Sequence, residues 1–383
     1  MNLINFLNKK PLYYKKINPN FMLEVYESIK DKFAKKDIIH VVGTNGKGST
    51  GRFLAQLLRL SGKSIGHYTS PHIFNFNERF YLDDDIVNDE KLQIAHKRIQ
   101  DILDEGIKDK ISYFEYATLL TIPLFENCDY VILEAGMGAE HDATNVFEKK
   151  LSLFTPIGLD HVGMLGNNIE EISTTKFISM AKNAILNDDM NSVSIEIAKE
   201  IATKKGSNIF FAKDFLDKKD FLDVIEYIQK FKLANFQYTN LSLAFSATKF
   251  LQEDVKLSDL KNLNLEGRMQ KIASNIIVDV GHNKLGAEKV LENITNNDTI
   301  LVYNAFLDKD IKGILKLFKG RVKRVEILDY ESNRELGGEK IIKCLNELGI
   351  KWKKFKGIQD NEKYLVFGSF MLVEHFLRNY FEK

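Results

Sequence analysis

The stretch "DIIHVVGTNGKGST", Asp37 to Thr50, limits the fold more than any other part of the chain. An apolar run ends directly in closely spaced glycines, and Phe53, Leu57 and Leu60 then recur at helical spacing. Strand, glycine-rich turn and helix, in that order, is the setting a phosphate-binding loop requires. Gly43, Gly46 and Gly48 let the backbone turn sharply and come close to a ligand. The N–H groups from Thr44 and Asn45 into the helix start favour an anion. Lys47 can reach terminal phosphates, and Ser49 can cap the helix or touch a metal. The spacing departs from G-x-x-x-x-G-K-[ST], because a glycine separates Lys47 from Ser49 and the first interval is shorter. G-x-G-x-x-G is absent too, which disfavours a dinucleotide fold here.

The alternation recurs in "DYVILEAG" and "LSLFTPIGLDH", which read as buried parallel strands. It loses its core character near residues 256–268 and restarts in "NIIVDVGHN", "TILVYNAFLDKD", "RVKRVEILDY" and "KYLVFGSF". The expected chain is α/β. Residues 1–262 form an N-terminal P-loop-type ATP-binding domain with a mostly parallel sheet. Residues 263–383 form a smaller Rossmann-like α/β domain. The polar clusters follow the C-terminal ends of strands, where open α/β sheets bind ligands. The active site is therefore expected in the cleft between the two domains.

Composition narrows the function. The 383 residues carry a formal net charge of +1, so no global field favours nucleic acid or an anionic membrane. Cys128 and Cys344 match no zinc or disulfide spacing. The N-terminus lacks the apolar run of a secretory leader, and no segment is apolar enough to span a bilayer. These features predict a cytoplasmic protein with small-molecule substrates. No heptad pattern stands out, and a monomer is expected.

Glu134 ends an apolar strand, where a carboxylate is costly unless paired or metal-bound. Mg²⁺ beside nucleotide phosphates suits it. Ser70, in "YTSPH", offers a hydroxyl to the same hard cation. Asp160 and His161 follow another strand, and His161 reads as a metal ligand or its positioner. Lys176 by itself reads as a solvated helix lysine. In the second half, Arg268 can clamp phosphate, Asp279 and His282 flank a glycine at a strand end, and Asn240 opens a helical pattern. G-x-S-x-G is absent, which argues against a serine hydrolase.

Taken together, "HVVGTNGKGST", "YTSPH" with "NER", "YFEYAT", "LEAGMG" with "DATN", "LDHVGMLGNNIEEI", "EGRMQ", "DVGHN", "LDKD" and "VFGS" resemble the ATP-dependent Mur ligases. Within that superfamily the folylpolyglutamate and dihydrofolate synthases are the nearer likeness. The resemblance implies ATP and Mg²⁺, with a pteroate or folate carboxylate activated as an acyl phosphate and then joined to L-glutamate. It implies phosphate contacts from Asn45, Gly46, Lys47, Gly48 and Ser49, and metal positions at Ser70, Glu134 and His161. It aligns Lys176 with a carbamylated lysine, and Asn240, Arg268 and Asp279 with nucleotide contacts. His282 and Ser369 resemble positions near the glutamate or the transferring phosphate. Phe114, Glu115 and Tyr116 resemble part of the pterin pocket. The chain departs from the family pattern at Ala139, Glu140 and His141, around Lys176, and in its short N-terminal segment. Two other readings stay open: a Mur-type ligase with a different carboxylate acceptor, and a non-catalytic ATP-binding protein of this fold.

Overall fold

The computed structural model describes residues 2–11, 18, 20–138, 140–294 and 297–381. It divides into two compact units. The first comprises Met1–Ile157, Val162–Tyr227 and Thr239–Leu263, and the second Gly158–His161, Ile228–Tyr238 and Asn264–Lys383. Neither unit is one continuous stretch of chain.

The first unit holds eight strands: β1 (Asp37–Val42), β2 (Ile65–Tyr68), β3 (Phe80–Leu82), β4 (Asp85–Ile86), β5 (Tyr130–Glu134), β6 (Lys149–Phe154), β7 (Asn183–Leu186) and β8 (Asn208–Phe211). Their order is β4-β3-β2-β5-β1-β6-β7-β8. Among the described residues, only the β2–β3 and β3–β4 pairings of this sheet are antiparallel. β1 is buried along Ile38–Val42, as a β-branched run covered on both faces should be. From β1 the chain moves outward to β2, returns to β5 beside β1, and then crosses to β6 on the other side. The strand order therefore reverses at β1, and the loops after β1, β5 and β6 meet at a topological switch point. Register fixes the meeting: Val41 lies against Glu134, and Val42 against Phe154.

The spacing of Met22, Val25, Ile29 and Phe33 predicts a helical face over residues 21–34, and the helix formed is shorter. It spans Phe21–Ile29 and buries Met22, Val25 and Ile29, while Phe33 lies beyond a 3₁₀ turn at Lys30–Lys32. The charged Lys-Asp-Lys sequence has no apolar residue to continue the buried stripe.

The second unit holds six strands: β9 (Gln270–Ala273), β10 (Ile276–Asp279), β11 (Thr299–Tyr303), β12 (Arg324–Ile327), β13 (Trp352–Lys354) and β14 (Lys363–Phe367). Their order is β13-β12-β11-β14-β10-β9, with only β9 antiparallel. The helix Ile311–Phe318 buries Ile311, Ile314, Leu315 and Phe318, a stripe at helical spacing. Asp279 and Tyr303 both pair with Phe367, so the loops following β10, β11 and β14 leave the sheet side by side. Among the described residues no helix is long and apolar enough to cross a membrane.

Candidate active site

The loop after β1 is shaped by two close approaches. Gly43 has φ +153°, and a Cβ there would stand 1.9 Å from Oγ1 of Thr155, just past β6. Thr44 N donates to Pro156 O at 3.0 Å, which ties the loop to the same segment. Gly46 has φ +89°, and a Cβ there would stand 2.4 Å from Oδ1 of Asn240, on the helix Phe236–Phe250. Both positions thus need glycine for conformation and for space. Gly46 precedes the helix Lys47–Leu60 and supplies no side-chain cap, the arrangement of an anion-binding helix N-terminus.

Lys47 folds back over this loop. Its Nζ donates to Gly43 O at 3.2 Å and to Thr44 O at 3.1 Å, and lies 4.0 Å from Glu134 Oε1. Glu134, buried at the end of β5, accepts from the Thr69 hydroxyl and, at 3.1 Å, from Ser70 N. The buried carboxylate is compensated by donors and a nearby ammonium, which answers the cost noted from sequence. Ser70 meets Glu134 through its backbone. Its side chain is not among the Glu134 donors.

Lys176 corrects its reading as a solvated helix lysine. It is 2% exposed, and its Nζ donates to Gly43 O at 3.1 Å and Met137 O at 2.7 Å. It ties the loop after β5 to the start of the phosphate loop. The helix Ile169–Phe177 presents one buried face, and Lys176 lies on it beside Ile172 and Ser173. A lysine on such a face is buried with its charge only where carbonyls stand ready to receive it.

Nearby, Asp142 accepts from Met137 N at 3.2 Å and Thr144 N at 3.0 Å, and burial pushes its carboxyl up. The Thr144 hydroxyl meets His40 Nε2 at 2.8 Å. Complete burial holds His40 well below its ordinary value, so the ring stays neutral inside β1. Ala139, one of the departures from the family pattern, lies outside the described residues.

The three residues expected in an acceptor pocket divide. Phe114 lies 6.0 Å from the Tyr68 ring. Glu115 closes a capping box: its Oε2 accepts from Ser112 N at 2.9 Å and Ser112 Oγ at 2.8 Å. Tyr116 is fully buried, its hydroxyl 2.6 Å from His96 Nδ1 and its ring 4.5 Å from Phe6. Glu115 and Tyr116 therefore serve the helix and the core.

In the second unit one carboxylate gathers three motifs. Asp160 accepts from Lys309 Nζ at 2.6 Å and Asn283 Nδ2 at 3.0 Å, and His282 Nε2 stands 3.3 Å from it. His161, at φ +50°, stands 3.8 Å away. Burial opposes ionisation of Asp160. The His282 hydrogen bond and the charges of His282, His161 and Lys309 outweigh it and hold the carboxyl well below its usual range. Asp160, His161 and His282 present ligand atoms within 4.8 Å of one another, a geometry able to hold a metal ion. Asp279 accepts from Met269 N at 2.9 Å and Gly281 N at 2.7 Å, and burial pushes it up. The Arg268 guanidinium lies 5.1 Å from the Phe370 ring and donates to Gly267 O at 3.3 Å. Ser369 caps the helix Phe370–Phe376 by accepting from Leu372 N at 3.0 Å, and meets the Tyr330 hydroxyl at 3.1 Å.

The sequence profile of the Mur ligase middle domain matches residues 41–253, more than half of the chain. The chain belongs to the Mur ligase family. This Mur ligase is 30% identical over 364 residues to the dihydrofolate synthase/folylpolyglutamate synthase of Buchnera aphidicola subsp. Schizaphis graminum, covering 88% of this chain and 86% of that one. It superposes on the crystal structure of Helicobacter pylori folylpolyglutamate synthetase with TM-score 0.80 and 38% identity, over 100% of this chain and 98% of the other. The fold is also that of the Yersinia pestis bifunctional folylpolyglutamate synthase/dihydrofolate synthase complexed with AMPPNP and Mn ion. There the TM-score is 0.82 at 23% identity, over 99% and 98% of the two chains.

Sequence reasoning left three residues of this Mur ligase without a role. Lys309, 8% exposed, was legible only as part of "LDKD". Asp142 was legible only within "DATN". Arg79, 7% exposed, sits in "NER".

Proposed function

We infer that this Mur ligase is an ATP-dependent carboxylate–amine ligase. It adds L-glutamate to the carboxylate of dihydropteroate, tetrahydrofolate or both, and releases ADP and phosphate. The observation that carries the reading is the loop at the end of β1. Gly43 and Gly46 are pressed against neighbouring side chains, Lys47 is folded over the loop, and buried Glu134 stands 4.0 Å away. That is a phosphate cradle beside an oxygen donor for a hard cation.

The buried Glu134 carboxylate offers the oxygen that suits Mg²⁺, and the Thr69 hydroxyl and Ser70 N that donate to it hold it in position. Glu134 and Ser70 of the first unit are proposed to hold the ion, and His161, which the second unit gathers with Asp160 and His282, is proposed as a metal position as well. Bound there, the ion would neutralise charge on the transferring phosphoryl group. The chain's own part is positioning. Backbone N–H groups from Asn45 to Ser49 hold phosphates, and Lys47 supplies positive charge against them. Lys176 keeps the loop in register through Gly43 O. Asn240, Arg268 and Asp279 are proposed nucleotide contacts, and His282 and Ser369 glutamate or phosphate contacts. Residues 1–262 are proposed as the ATPase domain of the Mur type, and residues 263–383 as the glutamate-ligase domain. Phosphate activation is needed because a carboxylate is a poor electrophile and oxide a poor leaving group. The acyl phosphate loses phosphate as the glutamate amine attacks.

The test is phosphate release from Mg·ATP and L-glutamate with 7,8-dihydropteroate, with tetrahydrofolate and with no acceptor, and product masses measured. One added glutamate on either acceptor is the expected result. ATP binding without release on both acceptors would overturn the reading.

A further inference from the structure

Arg79 ends the 3₁₀ helix Phe76–Arg79 and is 7% exposed. Its Nε donates to His72 Nδ1 at 2.9 Å, so His72 is an acceptor there and brings no negative charge. The guanidinium carbon lies 5.4 Å from the Tyr113 ring and 5.9 Å from the Phe76 ring. The Tyr68 hydroxyl is buried beside it and makes no hydrogen bond of good geometry. Among the described residues no carboxylate oxygen comes within 4.0 Å of Arg79. An arginine is always charged, and burying that charge without an anion is costly.

The surroundings indicate which anion would suit it. Arg79 O accepts from Thr69 N at 2.9 Å, and the Thr69 hydroxyl is on Glu134. His72 lies two residues past Ser70, whose N is also on Glu134. The buried cation and the Glu134 donors thus belong to one short loop. The loop is walled by aromatic rings, which suit a flat aryl ligand.

We propose that Arg79 recognises a carboxylate of the acceptor, with His72 as the residue that orients its guanidinium. This rests on the acceptor being a carboxylate-bearing pteroyl compound, as inferred above. Two carboxylates share the chemistry: the reacting one, present in every acceptor, and the α-carboxylate of a glutamyl tail, present in tetrahydrofolate and absent from dihydropteroate.

The test compares wild type, R79K and R79Q in steady-state kinetics with both acceptors. It adds melting-temperature shifts of the same proteins with p-aminobenzoate and p-aminobenzoylglutamate. In R79Q the acceptor KM is expected to rise about ten- to hundredfold, the scale of a lost hydrogen bond to a charged group. R79K should lose less, the KM for ATP and L-glutamate should stay at wild-type values, and the fragment-induced shift should vanish in R79Q. A rise for both acceptors assigns Arg79 to the reacting carboxylate. A rise for tetrahydrofolate alone, with loss of only the p-aminobenzoylglutamate shift, assigns it to the glutamyl tail. Unchanged acceptor KM and unchanged fragment shifts would overturn the proposal. So would an equal rise in all three KM values with a lowered melting temperature in R79K. Were R79Q unfolded, R79K carries the same comparison. If the wild type turns over neither acceptor, the ligase reading fails, and the fragment shifts still decide Arg79.

Discussion

A Cβ atom on Gly43 would stand 1.9 Å from the hydroxyl of Thr155, so the first residue of the phosphate loop has no room for any side chain. Gly43→Ala must move either the loop or the segment after β6. Overpacking of this kind costs about 1–3 kcal/mol. The expected outcome is a lower melting temperature together with weaker ATP binding in calorimetry. Thr155→Ala removes the nearest atom in the way and leaves the Thr155 backbone oxygen at 2.7 Å, so it should restore ATP binding to Gly43→Ala only in part. No restoration would mean that φ and the Thr155 backbone, and not its hydroxyl, dictate the glycine.

Glu134→Gln keeps the size and hydrogen-bonding reach of the side chain and removes its charge. The kcat is expected to fall by about 10²–10³, as for loss of a group that stabilises charge in phosphoryl transfer. The Mg²⁺ concentration for half-maximal rate should rise in parallel. An unchanged Mg²⁺ requirement would remove Glu134 from the metal site.

Lys176→Met leaves Gly43 O and Met137 O without the ammonium they receive at 3.1 and 2.7 Å. Unsatisfied buried acceptors cost about 1–3 kcal/mol, to be read from urea unfolding. The variant should lose ATP affinity as well, because one of those carbonyls belongs to the phosphate loop. Wild-type stability in Lys176→Met would show the two carbonyls to be satisfied in another way.

Lys149 gives a pH signature. Its Nζ donates to Asn145 Oδ1 and to Ser179 O, and burial together with the Lys205 charge pushes its pKa down from 10.5 to about 8. Between those two values the unfolded chain binds more protons than the folded one. The Lys149 contribution is therefore least favourable below about pH 8 and improves as pH rises towards 10.5. The difference in melting temperature, Lys149→Met minus wild type, should fall across that range. A flat difference would place the lysine in contact with water.

What the sequence carried, and what it could not, follows from the range of the interactions. β1, its glycine turn and the helix after it are local, and their residues state the structure directly. The alternation of apolar strands located β5, β6, β10, β11, β12 and β14. Short strands such as β4, with two residues, or β13, with three, have too few positions for a period. Lys176 reads as any helix lysine until the fold brings Gly43 O, 133 residues away, to its Nζ. Glu115 illustrates the converse. A carboxylate three residues after Ser112 is a capping box by local rule, and the helix start forms it. Asp160 and His161 are neighbours in sequence, but Lys309 joins Asp160 from 149 residues downstream, a distance no spacing rule spans.

The strand order has a consequence for how this chain matures. β1 and its loop are made early, yet the Thr155 hydroxyl that donates to Val42 O lies 113 residues later, and β5 must be inserted beside β1 first. During synthesis the loop leaves the ribosome without either neighbour. ATP can stabilise the folded state only by binding what has already closed. The nucleotide therefore cannot stabilise the nascent first unit until its non-local pairings have formed.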